Sequence, residues 1–253
     1  MTNQKKFKRQ ETQIWQHLQW EPSPQQLEQF NQLQYLLREW NQKINLTRLI
    51  EGNDFWISQI LDSLWPIQDE LKFQDKQINI IDVGTGCGLP GLAVAIALPR
   101  SSTTLIDSIY RKTSAVKEIV KELGLLSRVN VLTERIELTG QKKLHRHTFD
   151  LAIARAVAKA PVLAEYLIPF LKPTGQAVMY KGKWNDLEKK ELLKALSKLK
   201  GKIDTTKSLE LPERRGIRHA IRISSTMLCP GKYPRSVGIP LKRPLNNQTS
   251  DNL

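Results

Sequence analysis

The sequence predicts an α/β protein, a doubly wound seven-stranded sheet behind an N-terminal helical cap, and three features carry that prediction. From Ile78 onward, short apolar runs alternate with amphipathic stretches, the pattern of a sheet covered by helices on both faces. Before that point the apolar residues recur at helical spacing instead. One of the apolar runs then passes straight into a glycine-rich turn.

Residues 11–64 read as helical, with Leu27, Phe30, Leu33, Leu36, Leu37 and Trp40 spaced by threes and fours onto one face. Pro22 and Pro24 break any helix before that segment; Ser23 is placed to cap it, with Pro24 at the first helical position and Gln26 three residues after the cap. A second helix is expected over 54–64, ended by Pro66, so that residues 1–75 form the cap. Strands are expected at 78–83, 103–106, 129–132, 151–154, 177–180, 203–209 and 220–224, with helices at 90–97, 111–123, 161–171 and 184–200 between them. The short LPERRGIRH connection makes the last two strands a hairpin and puts an antiparallel strand at the sheet edge. The core domain is then 76–229, and the tail 230–253, rich in Pro, Gly, Lys and Arg, is expected to be extended.

Composition excludes several classes. A chain of 253 residues accommodates one large α/β domain with an appendage, and no apolar stretch is long enough to span a bilayer, so no membrane association is expected. The opening MTNQKKFKRQ is followed by polar sequence rather than an apolar h-region, which argues against export. Cys87 and Cys229 stand in unrelated contexts and suggest no disulfide framework, in keeping with a reducing cytoplasm. The net charge of +14 attracts a polyanion without naming it.

The chemistry concentrates in IIDVGTGCGLPG, residues 80–91, where a buried strand meets a glycine-rich turn and a helix opening at Pro90. Such a turn brings backbone close to a nucleotide-like ligand. Gly84 and Gly86 provide the tight turn, Gly88 close approach and Gly91 contact between helix and sheet; Asp82 either organises the loop or accepts from a ligand ammonium. Residues 86–91 formally match G-x-G-x-x-G, and Asp107 stands where an acid would bind ribose hydroxyls. That pattern suits NAD as well as S-adenosylmethionine, since both carry an adenosine ribose. A dehydrogenase needs a second domain for its substrate, whereas only a short tail follows the seven strands here. The balance favours S-adenosylmethionine and a Rossmann-like methyltransferase sheet, with an NAD-dependent dehydrogenase as the alternative.

Further candidates follow the other strands. In Glu134-Arg135-Ile136-Glu137 the Glu137 side chain can orient an adenine edge with the Ile136 backbone as partner, although alone the cluster reads as a solvated turn. Arg155, closing FDLAIAR, and Lys181, closing MYK, fall at the carboxyl edge of the sheet, where a cation can hold a ligand carboxylate or an RNA phosphate or be a plain surface charge. His145 and His147 lack accompanying Cys or carboxylates, so a basic loop is expected there and no metal site. Cys87 is taken as a small residue fitting its loop, and Trp15, Trp20 and Trp40 as packing in the cap. Leu187, Leu192, Leu196 and Leu199 are read as the packing stripe of their helix.

Over nearly its whole length the sequence resembles the RsmG (GidB) family, bacterial methyltransferases that act on N7 of one guanine in 16S ribosomal RNA. The resemblance lies in Trp40-Asn41 through Asn45-Leu46-Thr47, Leu61-Asp62-Ser63-Leu64, the DVGTGCGLPG loop, Leu105-Ile106-Asp107-Ser108, Arg135-Ile136-Glu137, Arg155-Ala156, Lys181-Gly182 and the terminal YPRSVGIP at 233–240, with Lys242 and Pro244-Leu245 after it. It implies that Gly84, Leu89, Asp107, Ile136, Glu137 and Arg155 contact S-adenosylmethionine. It also implies that 16S rRNA or the small ribosomal subunit is the partner, in the cytoplasm. The in-plane lone pair of N7 attacks without first losing a proton, so no catalytic residue in the strict sense is expected, and Lys181, Arg235 and Arg155 are the candidates for RNA contact. Another RNA position or a small molecule is the alternative substrate, and a non-catalytic RNA-binding protein that keeps the fold is the alternative class. No dimer seam is apparent, and a monomer is expected. Gln59 stands where the family usually has His, Arg111-Lys112 where Lys-Lys is common, and Asp107 where Glu is common. The first of these departures puts in doubt a titrating base at that position.

Overall fold

The computed structural model describes residues 14–246; the basic N-terminal decapeptide, the first residues of the helical segment begun at 11, and the last seven residues of the tail lie outside them. Helix α1 (Pro24–Lys43) starts as its sequence predicts. The Ser23 hydroxyl accepts from the Gln26 N–H and the Gln26 side chain accepts from the Ser23 N–H, a closed capping box with Pro24 inside it. Phe30, Leu33 and Leu37 are buried on its inner face. Gln26, on that side, donates to the carbonyls of Ile96 and Ala97, while Gln29 and Gln32 donate to Leu123 and Glu122. These are the unpaired carbonyls that end helices α2 (Gly91–Ala97) and α3 (Tyr110–Glu122), so three glutamines dock the cap onto the core.

The second cap helix is interrupted. Gly52–Phe55 and Asp62–Leu64 are α-helical, but Trp56–Leu61 between them is a π-helix, and Trp65–Ile67 tightens to a 3-10 turn at Pro66. The widened turn is buried throughout, and it brings Ser58, Gln59 and Asp62 against the sheet.

The strands are β1 (Asn79–Val83), β2 (Ser102–Asp107), β3 (Val129–Thr133), β4 (Phe149–Arg155), β5 (Leu171–Lys181), β6 (Gly201–Glu210) and β7 (Ile217–Ser225), in the order β3-β2-β1-β4-β5-β7-β6. The first five are parallel, and β7 runs antiparallel to both β5 and β6. The reversed strand is therefore one in from the edge, and β6 takes the edge itself. Helix α4 (Ile136–Thr139) follows β3, α5 (Ala160–Leu167) follows β4, α6 (Asp186–Leu199) follows β5, and α7 (Ile239–Lys242) lies in the tail. The helix expected through residue 171 stops at Leu167, and after a 3-10 turn containing Pro169 the chain enters β5 at Leu171. In α6 the packing stripe is Leu192, Leu196 and Leu199, whereas Leu187 is 68% exposed. Its five-residue offset from Leu192 turns it well off the buried face.

The tail is not extended. Tyr233, Pro240 and Leu245 are buried, and Tyr233 and Leu245 join Cys229, the last residue of the core, in the apolar cluster under α5 and α6. Burial pushes the Cys229 thiol up to about 11. Among the described residues no helix is long and apolar enough to cross a membrane.

Candidate active site

The order β3-β2-β1-β4 reverses direction between β1 and β4, and at such a switch point the carboxyl edge of an open sheet leaves a crevice. The glycine loop sits there. Asp82, fully buried at the end of β1, accepts from the Thr85 hydroxyl at 2.7 Å and the Gly91 N–H at 2.9 Å through one oxygen. Of the two roles open to it, the structure gives it the organising one, because it clips the loop shut from beneath. Burial pushes its carboxyl up to about 6, against the opposing effect of these two bonds. Gly91 must lack a side chain, since a Cβ would come within 2.2 Å of Leu105 and 2.7 Å of Asp82. Gly86 differs: at φ +59° its Cβ would meet nothing closer than 3.9 Å, which leaves open space over the loop.

That space is part of a cavity of about 970 Å³ running along the carboxyl ends of β1 to β5. Five of the six residues expected to contact a cofactor wall it together: Gly84, Leu89, Asp107, Ile136 and Arg155. Asp107, ending β2, accepts from the Gly86 N–H at 3.0 Å with one oxygen and from the Ile109 N–H at 2.9 Å with the other, so its carboxylate is fixed facing the loop. Glu137, the sixth, turns inward. Its carboxylate, 1% exposed, accepts from Arg135, the Tyr166 hydroxyl and the Gly238 N–H. Burial alone would raise its pKa, but the Gly238 amide and Arg135 outweigh burial and hold it below the usual range. Its side chain is thus behind the cavity wall, and Arg135 and Ile136 form the wall in front of it.

Arg155 is gripped from the cap. It donates to Asp62 at 3.1 Å and Gln59 at 2.5 Å, and Gln59 passes the chain on to the Thr47 hydroxyl at 3.0 Å. Asp62 also faces Arg218 at 3.6 Å. The position where the resemblance expects histidine therefore holds a bridging amide with no titrating proton. Lys181 is paired with Glu188 at 2.7 Å, both 15% exposed, and Arg235 with fully buried Glu165 at 2.7 Å. All three cations proposed for RNA are thus engaged by carboxylates. The cavity-wall lysines without a carboxylate partner among the described residues are Lys112, Lys159 and Lys183. Cys87 lines the cavity with its thiol raised by burial, and Trp15 and Trp20 pack in the cap core. His145 stacks on Phe149, His147 bonds to the Leu171 carbonyl, and no cluster able to hold a metal occurs among the described residues.

Several wall residues were not singled out from sequence. Arg218 and His219 arrive through the β5–β7 pairing, which sets His219 opposite Lys181, and Leu241 arrives through the folded tail. Asp62 stood within a recognised motif, but its partner became visible only in three dimensions.

The sequence model of GidB, rRNA small subunit methyltransferase G, matches residues 26–217, from the first turn of α1 through the whole parallel sheet. The chain belongs to this family. Curated relatives named ribosomal RNA small subunit methyltransferase G are 54% identical in Prochlorococcus marinus (strain NATL2A), over 92% of this chain and 94% of that one, and 54% identical in Synechococcus sp. (strain CC9311), over 94% of each. As a member of the family the chain is a methyltransferase. Its fold is shared by the N-terminal domain of human METTL16, solved in complex with SAH, at a TM-score of 0.50 and 14% identity over 65% of this chain and 70% of that one.

Proposed function

We propose that this methyltransferase transfers a methyl group from S-adenosylmethionine to N7 of a guanine in small-subunit ribosomal RNA, acting in the cytoplasm. The observation that carries the reading is the convergence of Gly84, Leu89, Asp107, Ile136 and Arg155 on one cavity at the switch point of the sheet. The residues suit the cofactor. Gly86 leaves room over the loop that a Cβ would fill, and Asp107 is fixed with acceptor capacity to spare for a ribose diol. Arg155 supplies positive charge on the other side of β1, where a carboxylate would lie. When bound, S-adenosylmethionine supplies an activated methyl that a lone pair on guanine can take in line. The residues of this chain then have two tasks, to hold the cofactor and to hold an unstacked base against it.

On this reading Asp107 and Ile136, after β2 and β3, would hold the nucleoside side, and residues 156–159 and 181–188, after β4 and β5, would face the acceptor. Lys159 and Lys183 at that end, with Lys112 across the mouth, pair with no carboxylate among the described residues and are available to RNA phosphates. The test is incubation with methyl-labelled S-adenosylmethionine and small-subunit RNA from cells lacking this activity, as naked RNA and as particles. Label in the RNA is the expected result. Cofactor binding without labelling of either form would move the substrate elsewhere, and no binding would remove the cofactor reading.

A further inference from the structure

The tail motif YPRSVGIP makes no contribution to the reading above, yet it is tied into the back of the cofactor wall. Arg235 donates to Glu165 three times, through its backbone N–H at 2.8 Å, Nε at 2.9 Å and Nη2 at 2.7 Å, and Glu165 is fully buried in α5. Three residues on, the Gly238 N–H donates to the Glu137 carboxylate at 3.0 Å. Around these two attachment points the tail is sewn down. Gln141 donates to the Pro234 carbonyl at 2.6 Å, Arg146 donates to the carbonyls of Cys229, Pro230 and Tyr233, and Pro234 lies so close over Gly140 that a Cβ there would meet it at 2.8 Å. Glu137, Gln141 and Gly140 all belong to α4 or the turn after it, and α4 begins at Ile136, which lines the cavity. The tail then turns through Gly238 into α7 and places Leu241 on the same cavity wall.

We propose that residues 233–241 are a strap that positions the β3–α4 loop and thereby sets the affinity of the adenosine end of the cofactor site. The inference rests on the cofactor reading given above. Arg235 and Glu137 act through Arg135 and Ile136, and are positioning residues that need not touch the ligand. Glu137 is the pivot, since Arg135 on the wall, Tyr166 on α5 and Gly238 on the strap all donate to one of its carboxylate oxygens. Releasing the strap removes one of those three donors and frees the wall to shift. The effect is local. The glycine loop and Arg155 are held by Asp82 and by the cap, through bonds that do not pass through the tail.

The test is calorimetric titration of the full-length protein with S-adenosylhomocysteine and, separately, with adenosine. Arg235→Ala removes two of the three bonds of the latch but strands a buried Glu165 charge; Arg235→Ala/Glu165→Leu removes all three without one and is the decisive variant if the single change fails to fold. The expected result is a dissociation constant raised about tenfold for both ligands in the folded variant. Unchanged affinity for both, or a loss confined to S-adenosylhomocysteine with adenosine unaffected, overturns the strap alone. A wild-type protein that binds neither ligand overturns the cofactor reading, and the strap with it.

Discussion

Asp107 and Gly86 are joined across the first two strands, the carboxylate of one accepting the backbone N–H of the other at 3.0 Å. The bond makes the acid and the glycine loop one unit, so Asp107 shapes the loop and, in the proposed function, is the group that would meet the ribose. Asp107→Asn keeps an acceptor oxygen but loses the charge that strengthens these bonds, each of which is worth about 1.5–3 kcal/mol when charged. S-adenosylhomocysteine should bind roughly 10- to 100-fold more weakly to this variant, and the unfolding free energy should fall by about 1–3 kcal/mol, because the amide NH2 then faces one of the two N–H donors. Equal affinity by calorimetry would show that Asp107 does not face the ligand.

Two glycines of one loop should fail in different ways. Gly91→Ala drives a methyl into Leu105 and Asp82, and overpacking of this kind costs about 3 kcal/mol, readable as a lower denaturation midpoint. Gly86→Ala meets no atom closer than 3.9 Å, so its stability loss is confined to about 1 kcal/mol of left-handed backbone strain. Its methyl, however, occupies ligand space and should weaken cofactor binding. Equal stability losses at the two positions would contradict the packing described.

Most of the fold was legible, because binary patterning is strong where a sheet is buried on both faces: each predicted strand lies within or overlaps an observed one. What escaped the sequence depended on contacts distant along the chain. Glu137 reads as a solvated acid in a charged turn until Gly238, 101 residues later, comes back to it. Arg155 and Lys181 read as free cations until Asp62 and Glu188 pair with them. The tail reads as extended because its prolines and glycines hide the few buried anchors, Tyr233, Pro240 and Leu245. The cavity-wall residues carried by local motifs were readable; those brought by β7, the cap and the tail were not.

Asp82 makes stability depend on pH in a definite direction. Its carboxyl titrates near 6 in the fold against an ordinary 3.8, so between those values the native state binds more protons than the unfolded one. Stability contributed at low pH is lost as pH rises through that window, by about 3 kcal/mol in full. Asp82→Asn keeps an oxygen for Thr85 and Gly91 and cannot ionise. The variant should gain on wild type by up to about 3 kcal/mol between pH 4 and 7 in urea unfolding, other titrations cancelling in the difference. A difference independent of pH would refute the buried charge.

Asp62 carries the link between cap and site. Asp62→Ala strands Arg155, whose side chain is 15% exposed, and loosens Arg218 as well. Removing one partner of such a pair costs about 3 kcal/mol or more. Wild-type stability in that variant would mean that Gln59 and the Ser58 carbonyl suffice for Arg155.

Unpaired lysines should matter to RNA and paired ones should not. Replacing Lys112, Lys159 or Lys183 by Gln should lower the salt dependence of RNA affinity by about 0.7 in log–log slope for each phosphate no longer neutralised. Lys172, paired with Asp150 at 2.8 Å at the opposite edge of the sheet, serves as control, and its replacement should leave the slope unchanged. Equal effects at all four positions would reduce the RNA interaction to net charge.

Methyl transfer to N7 of a guanine is the chemistry assigned to this cavity, and mass mapping of the modified nucleotide decides it. Small-subunit RNA from cells lacking this activity, treated with the protein and S-adenosylmethionine, should carry a single N7-methylguanine, and the Asp107→Asn protein at limiting cofactor should produce far less. A methyl group on another atom or another base would contradict the assignment.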